Sequence, residues 1–236
     1  MNYYDNNPSH YTTGAGIDNA VSQVMKRVYV KMFLGLLVTA IVSLWGASSY
    51  GYLSFMATHT WAMWALLGVE LLIVFGISGA VNKLSSGVAS ALFYLFALVM
   101  GLSLAPIFLL YTSVSIAKTF FITAGTFGAM SIYGYVTKQD LARWGSILFM
   151  ALIGLIICSV VNIFWANSTF EWIISGAGVL IFVGLTAWDT QQVKNMALMA
   201  PSDSYSRLAT IGALTLYLDF INLFLYLLRF FGNRNN

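Results

Sequence analysis

"ISGAGVLIFVGLTAWDTQQ", Ile174–Gln192, begins as a stretch that belongs in lipid and ends on a carboxylate. Up to Trp188 it carries no charge, and Asp189 then arrives with no basic residue beside it. The pattern returns in "LTLYLDFINLFLYLLRFF", Leu214–Phe231, where Asp219 interrupts another apolar run. Several runs in the chain reach about 20 residues, the length of a bilayer-spanning helix. The alternating pattern of a membrane β-barrel is absent. The expected fold is therefore all-α: a polytopic membrane protein.

Composition agrees. The chain is 59% hydrophobic and 8% charged, with a mean hydropathy of +0.81, whereas soluble domains are about a quarter charged. The net charge of +3 is too small to suggest a nucleic-acid partner, and the basic residues read as topology signals. A single cysteine, Cys158, excludes an internal disulfide and a Cys-rich metal site. His10 and His59 stand in no metal-ligand spacing. Residues 1–24 are largely polar and lack the basic-then-apolar order of a signal peptide. A flexible tail is expected over 1–24 and one membrane domain over 25–236.

Seven spans are predicted: Val28–Ser48, Trp61–Val81, Val88–Leu110, Ile116–Val136, Trp144–Trp165, Trp172–Asp189 and Leu208–Phe231. Lys26, Arg27, Lys31, Lys83, Lys138, Arg143, Lys194 and Arg207 then fall on one side, and only Lys118 lies at the edge of the other. The positive-inside rule makes the N-terminus cytoplasmic. Arg229 and Arg234 lie at the opposite end and leave a re-entrant last segment as the alternative. Pro106 falls inside the third span, where it removes a helical hydrogen bond and predicts a kink. No nucleophile elbow, paired metal-binding histidines or phosphate-cradling glycine loop is present, so no enzyme is expected.

Three acids lie in apolar surroundings: Glu70 in "WALLGVELLIVFGISG", Asp189 and Asp219. Asp219 is about 16 Å into its span at 1.5 Å per residue. Asp189 is placed at the cytoplasmic end of the sixth span. A charge at the bilayer centre costs at least ~2.5–3.5 kcal/mol, so such acids face the bundle interior or a water-filled cavity. Each is otherwise a neutral, packed acid. If the sixth helix continues through "DTQQV", Asp189 and Asp219 meet on antiparallel neighbours. Two carboxylates at that range cannot both ionise cheaply and share a proton. Deprotonated, they offer hard oxygens to a cation. Calcium prefers six to eight such ligands, so this would be a passing site and not a storage site.

"GLTAWDTQQ", "LYLDFINLFLYLLRFFGNR" and "FGAMSIYGYVTKQDLARWGSILFMALIG" resemble the bacterial branch of the Bax inhibitor-1, or transmembrane Bax inhibitor motif, family. The likeness runs from about Gln23 onward. It implies a seven-transmembrane-helix bundle with the last helix central, in the bacterial inner membrane, and a pH-sensitive calcium leak with no tightly bound cofactor. By resemblance Asp189 and Asp219 are the proton-sensing pair and a transient calcium site, and Glu70 is a further candidate on the ion path. The family's latch arginine has Lys83 as its nearest counterpart here. Lysine lacks the bidentate fork of arginine, which predicts a weaker latch. The resemblance also implies a rival role, as modulator of a membrane-embedded ATP-dependent protease, with the N-terminal tail as the binding element. The loop charges give a direct check: a reporter at the N-terminus reads cytoplasmic and one inserted between His59 and Thr60 reads external. A cytoplasmic signal from the second insertion overturns the topology.

Overall fold

In lipid every backbone N–H and C=O must be satisfied within its own segment, which leaves helices as the building unit of such a sequence. The computed structural model describes residues 14–80 and 84–235. Within them α1 spans Gly14–Ser48, α2 Tyr50–Thr58, α3 Thr60–Ala80, α4 Ser86–Leu104, α5 Ile107–Leu110, α6 Ser113–Val136, α7 Ala142–Trp165, α8 Ser168–Met199 and α9 Tyr205–Phe231. A short 3-10 turn, Ser202–Ser204, joins the last two. Side-chain oxygens start several helices: Ser85 accepts from the Val88 N–H, Thr112 from Ser115 and Asn167 from Phe170.

Six of these helices are long and apolar enough to cross a membrane: α1, α3, α4 with α5, α7, α8 and α9. The remaining expected span, Ile116–Val136, is helical, as α6, and packs against α8 and α9, but it is not among those six. Its many Thr, Ser and Gly residues leave it less apolar than the six. The chain is thus a polytopic all-α membrane protein.

α9 is the core. Of its most apolar window 67% is buried inside the protein, against 6% for α7. It packs directly against α8, α1, α6 and α4, while α3 lies chiefly on α4 and α7 on α8. The last helix is therefore central but flanked by four helices, with two more in an outer position. α7 turns a ladder that includes Phe149, Ile153, Ile156 and Val160 outward. In water such a patch would be anomalous, but in a bilayer it is the lipid face.

Several boundaries differ from the sequence reading. α1 opens at Gly14, inside the stretch 1–24 expected to be a tail. Val21, Val24, Met25, Val28 and Met32 continue one buried stripe at helical spacing, so the helix starts before the apolar run. Residues 1–13, including His10, lie outside the described residues. At Pro106 the third span is interrupted as expected of a proline: α4 stops at Leu104 and α5 begins at Ile107, while Ala105 and Pro106 between them keep helical dihedrals. α8 does not stop at Asp189 but runs ten residues further, to Met199. At 32 residues it is about 48 Å long, more than the ~30 Å hydrocarbon core, so its ends extend beyond it.

α9 is one continuous 27-residue helix antiparallel to α8, which leaves no re-entrant segment. The arginines at this end, Arg229 of α9 and Arg234 just beyond it, meet Glu171 at the start of α8, which lies 3.7 Å from Arg229 Nε and 3.4 Å from Arg234 Nη2. After α9 the chain folds back as a strap. The Thr112 N–H donates to the Asn233 carbonyl (3.2 Å), the Asn235 N–H to the Leu110 carbonyl (2.9 Å), and the Asn233 N–H to Ser115 Oγ (2.8 Å).

α6 reaches closest to α8 at Gly134, where an added Cβ would stand 2.1 Å from the Ala187 carbonyl oxygen. Gly134→Ala should therefore destabilise the bundle by about 1–3 kcal/mol. Gly125→Ala, on the same helix with nothing within 4 Å of the new Cβ, should be neutral or stabilising by ~0.5–1 kcal/mol. Thermal unfolding of both variants in detergent checks the pair, and equal melting temperatures would refute the close approach.

Candidate functional site: the buried carboxyl pair

The polar residues of "DTQQVK" continue α8 because other helices satisfy them. Gln191 Oε1 accepts from the Leu141 N–H (2.8 Å), and its Nε2 donates to the Gln139 carbonyl (2.8 Å). Lys194 Nζ donates to the Tyr135 carbonyl (2.7 Å) and lies 4.9 Å over the Tyr135 ring. Thr190 Oγ1 donates to Ser131 Oγ at 3.4 Å. One step earlier Trp188 lies against Gly145, where a Cβ would be 2.1 Å from the indole. Residues 187–194 thus fasten α8 to α6 and to the start of α7, which fixes the rotation and height of Asp189.

Asp189 lies ten residues from the end of α8, about 15 Å along it, so the helix continues well past the place where the sequence ended the span. The apolar run ends at Trp188, but the helix does not. Across from it, Asp219 is 5% exposed. Phe220 beside it meets Phe120 and Phe127 edge-on, with centroids 5.6 and 5.5 Å apart. The structure brings the two acids together: their carboxyls are side-chain hydrogen-bond neighbours. That bond needs a proton on one of them. With both ionised, Asp219 Oδ2 is buried with no donor. Among the described residues no hydroxyl, amide or cation offers one, which leaves the second carboxyl as its neighbour.

Glu70, 8% exposed, stands elsewhere. It accepts a 2.6 Å hydrogen bond from Ser103 Oγ of α4 and neighbours Tyr217 of α9. Tyr217 in turn shares a 2.6 Å hydrogen bond with Thr39 of α1. Tyr217 and Asp219 are two residues apart, about 200° around the helix. Glu70 and the aspartate pair therefore occupy opposite sides of α9 and are not brought together. Lys83 lies outside the described residues.

Sequence reasoning missed two sites. Lys31, read only as a topology charge, donates 2.6 Å hydrogen bonds to Ser90 Oγ and Thr210 Oγ1, joining α1, α4 and α9. Gln191 was read as part of a polar segment. Its signal is its position, two residues after Asp189 and so on another face of the same helix. Among the described residues no group of three or more His, Cys, Asp or Glu side chains could hold a metal ion. The pair offers at most four carboxylate oxygens, fewer than calcium takes in a tight site.

The family model described as inhibitor of apoptosis-promoting Bax1 matches residues 21–236. The chain belongs to the Bax inhibitor-1 family. It is 47% identical over 213 residues to the inner membrane protein YbhL of Escherichia coli, covering 89% of this chain and 91% of that one. It is 43% identical to an uncharacterised protein of Borreliella burgdorferi, covering 91% and 94%. A membrane protein of Streptococcus pyogenes is 32% identical, covering 92% and 96%. In this Bax inhibitor-1 family member the match spans the carboxyl pair and the clamp around it.

The clamp makes its own prediction. Gln191→Ala leaves the Leu141 N–H and the Gln139 carbonyl without their partner, which should lower stability by about 1–3 kcal/mol. Gln191→Glu keeps the acceptor and loses the donor, so its loss should be smaller. Unfolding midpoints in detergent for the two variants decide the order.

Proposed function

We propose that this chain is a calcium-permeable leak channel of the bacterial inner membrane, its N-terminus cytoplasmic, gated by one proton shared between Asp189 and Asp219. The observation that carries this reading is the pairing of two carboxyls inside a membrane bundle, the buried Asp219 of the central helix beside the half-buried Asp189 of its neighbour. With one proton present, the pair is a latch between α8 and α9. Without it, two like charges face each other at short range. At an effective dielectric near 20 such a pair repels by roughly 4 kcal/mol at ~4 Å. That is enough to separate two helices joined at this level chiefly by packing, and it presents oxygens to an incoming cation. Loss of the proton opens the path, so flux rises with pH. Calcium is cargo in this scheme and binds only in passing.

The proposal assigns Glu70 to a second polar station on the other side of α9. The rival reading, modulation of a membrane-embedded ATP-dependent protease, was placed on a tail whose residues 1–13 lie outside the described residues. Nothing in the carboxyl geometry favours it.

Calcium flux into proteoliposomes, followed between about pH 6 and pH 8, tests the gate. Wild-type flux rises over that window. Asp219→Asn and Asp189→Asn each substitute an amide that hydrogen-bonds its partner at every pH, so each flattens the profile. The double variant is little worse than either single, because the pair acts as a unit. A wild-type pH profile in either properly inserted single variant sinks the shared-proton gate.

A further inference from the structure

At the end of the bundle where α7 finishes, α8 begins and α9 finishes, a cavity of about 420 Å³ opens between the three helices. Its lining includes Glu171, Arg229, Asn162, Ser159 and Ser168. It lies on the opposite end of α8 from the Gln191 clamp and takes no part in the carboxyl pair. Both signs of charge are present, a few ångströms apart.

The two charges are incompletely matched to each other. Arg229 Nε stands 3.7 Å from Glu171 Oε1, too long for a hydrogen bond. The guanidinium is held 5.7 Å over the Tyr226 ring, which orients its plane. Both arginine contacts of Glu171 go to Oε1, and neither takes Oε2. Asn162 uses its carbonyl oxygen on the Asn167 N–H (3.2 Å). The wall contains Ala166 at φ 47°, a left-handed conformation that a residue with a Cβ seldom adopts.

The surroundings are those of a membrane interface. Trp165 is 74% exposed and Trp172 58%, and Trp172 stacks on Phe230 at 4.7 Å. Exposed tryptophans at helix ends mark the headgroup level. Below them on α7, Ile163, Val160 and Ile156 are turned outward, a track for hydrocarbon leading up to the cavity mouth.

We propose that this cavity binds the headgroup of a phospholipid carrying a primary ammonium and a phosphate, such as phosphatidylethanolamine. Arg229 takes the phosphate, whose oxygens suit the guanidinium fork. Glu171, whose Oε1 already faces Arg229 and Arg234, takes the ammonium through Oε2, with serine hydroxyls beside it as further acceptors. A quaternary ammonium has no N–H to donate, so phosphatidylcholine fits worse. An anionic headgroup without an ammonium leaves Glu171 facing an anion. The acyl chains lie along the apolar track of α7, which makes the source a lipid and not a free headgroup.

Native mass spectrometry of the full-length protein, exchanged into micelles doped with phosphatidylethanolamine, phosphatidylcholine or phosphatidylglycerol, reads the preference directly. Phosphatidylethanolamine should be retained at least about tenfold over the other two, which corresponds to ~1.4 kcal/mol. Arg229→Gln and Glu171→Gln should each abolish the preference. Ser159→Leu fills the cavity without changing charge and should lower retention while the ion pair remains, which covers the case in which a charge variant does not fold. Free phosphoethanolamine at the same concentration should displace little of the lipid. Equal retention of the three lipids, a preference that survives the substitutions, or full displacement by the free headgroup overturns the assignment.

Discussion

A carboxyl on the most enclosed helix of the bundle has to be accommodated inside the protein, and the group set beside Asp219 is another carboxyl. Everything around it follows from that constraint. α9 has no broad lipid face, so Asp219 cannot turn outward. α8 must then hold Asp189 at hydrogen-bonding range and at the right height. The means are short-range and steric: Gly134 admits the Ala187 backbone, Gly145 admits the Trp188 indole, and Gln191 holds both sides of the link between α6 and α7. A longer side chain at either glycine would move α8 before it touched the acid. The chemistry of the pair is thus set by residues that carry no charge.

The three buried acids were legible in the sequence because a lone charge in an apolar run stands out against its neighbours. Their mutual arrangement was not. Hydropathy places the end of the sixth span at Asp189, since "DTQQVKN" reads as water-loving. Those polar groups are instead satisfied by Ser131, Tyr135, Gln139 and Leu141, all about fifty or sixty residues away in sequence. The same blindness hid Lys31, whose hydroxyl partners sit on two other helices. It also placed the start of α1 too late, because buried valines are spaced among polar residues there. Pro106 was legible as the point where the third span is interrupted, because a proline removes a helical hydrogen bond whatever packs beside it. The family likeness supplied the central place of the last helix, which no periodicity in that segment announces.

The separation of Glu70 from the aspartates also reshapes how the interior should be viewed. α9 divides the polar groups into two files. One runs between α8 and α9 and contains the carboxyl pair. The other lies towards α1, α3 and α4 and contains Lys31 with Thr210, then Tyr217 with Thr39, then Glu70 with Ser103. Phe93 and Phe96, edge-on to Tyr217 at 5.7 Å, fill the space within the second file. A helix that insulates two polar files from each other can rotate slightly and change both at once, with no direct contact between them.

The helix that forms the core is made after the helices it packs against. While a ribosome is still delivering α9, the earlier helices have already entered the membrane with their inward faces turned toward a space that nothing fills. During that interval Asp189 has no partner and the inner surfaces of α1, α4, α6 and α8 are open to lipid or to one another. Assembly therefore closes only once α9 is in place, when Asn233–Asn235 join Leu110–Thr112. Chains that stop before α9 lack a centre and not merely an edge.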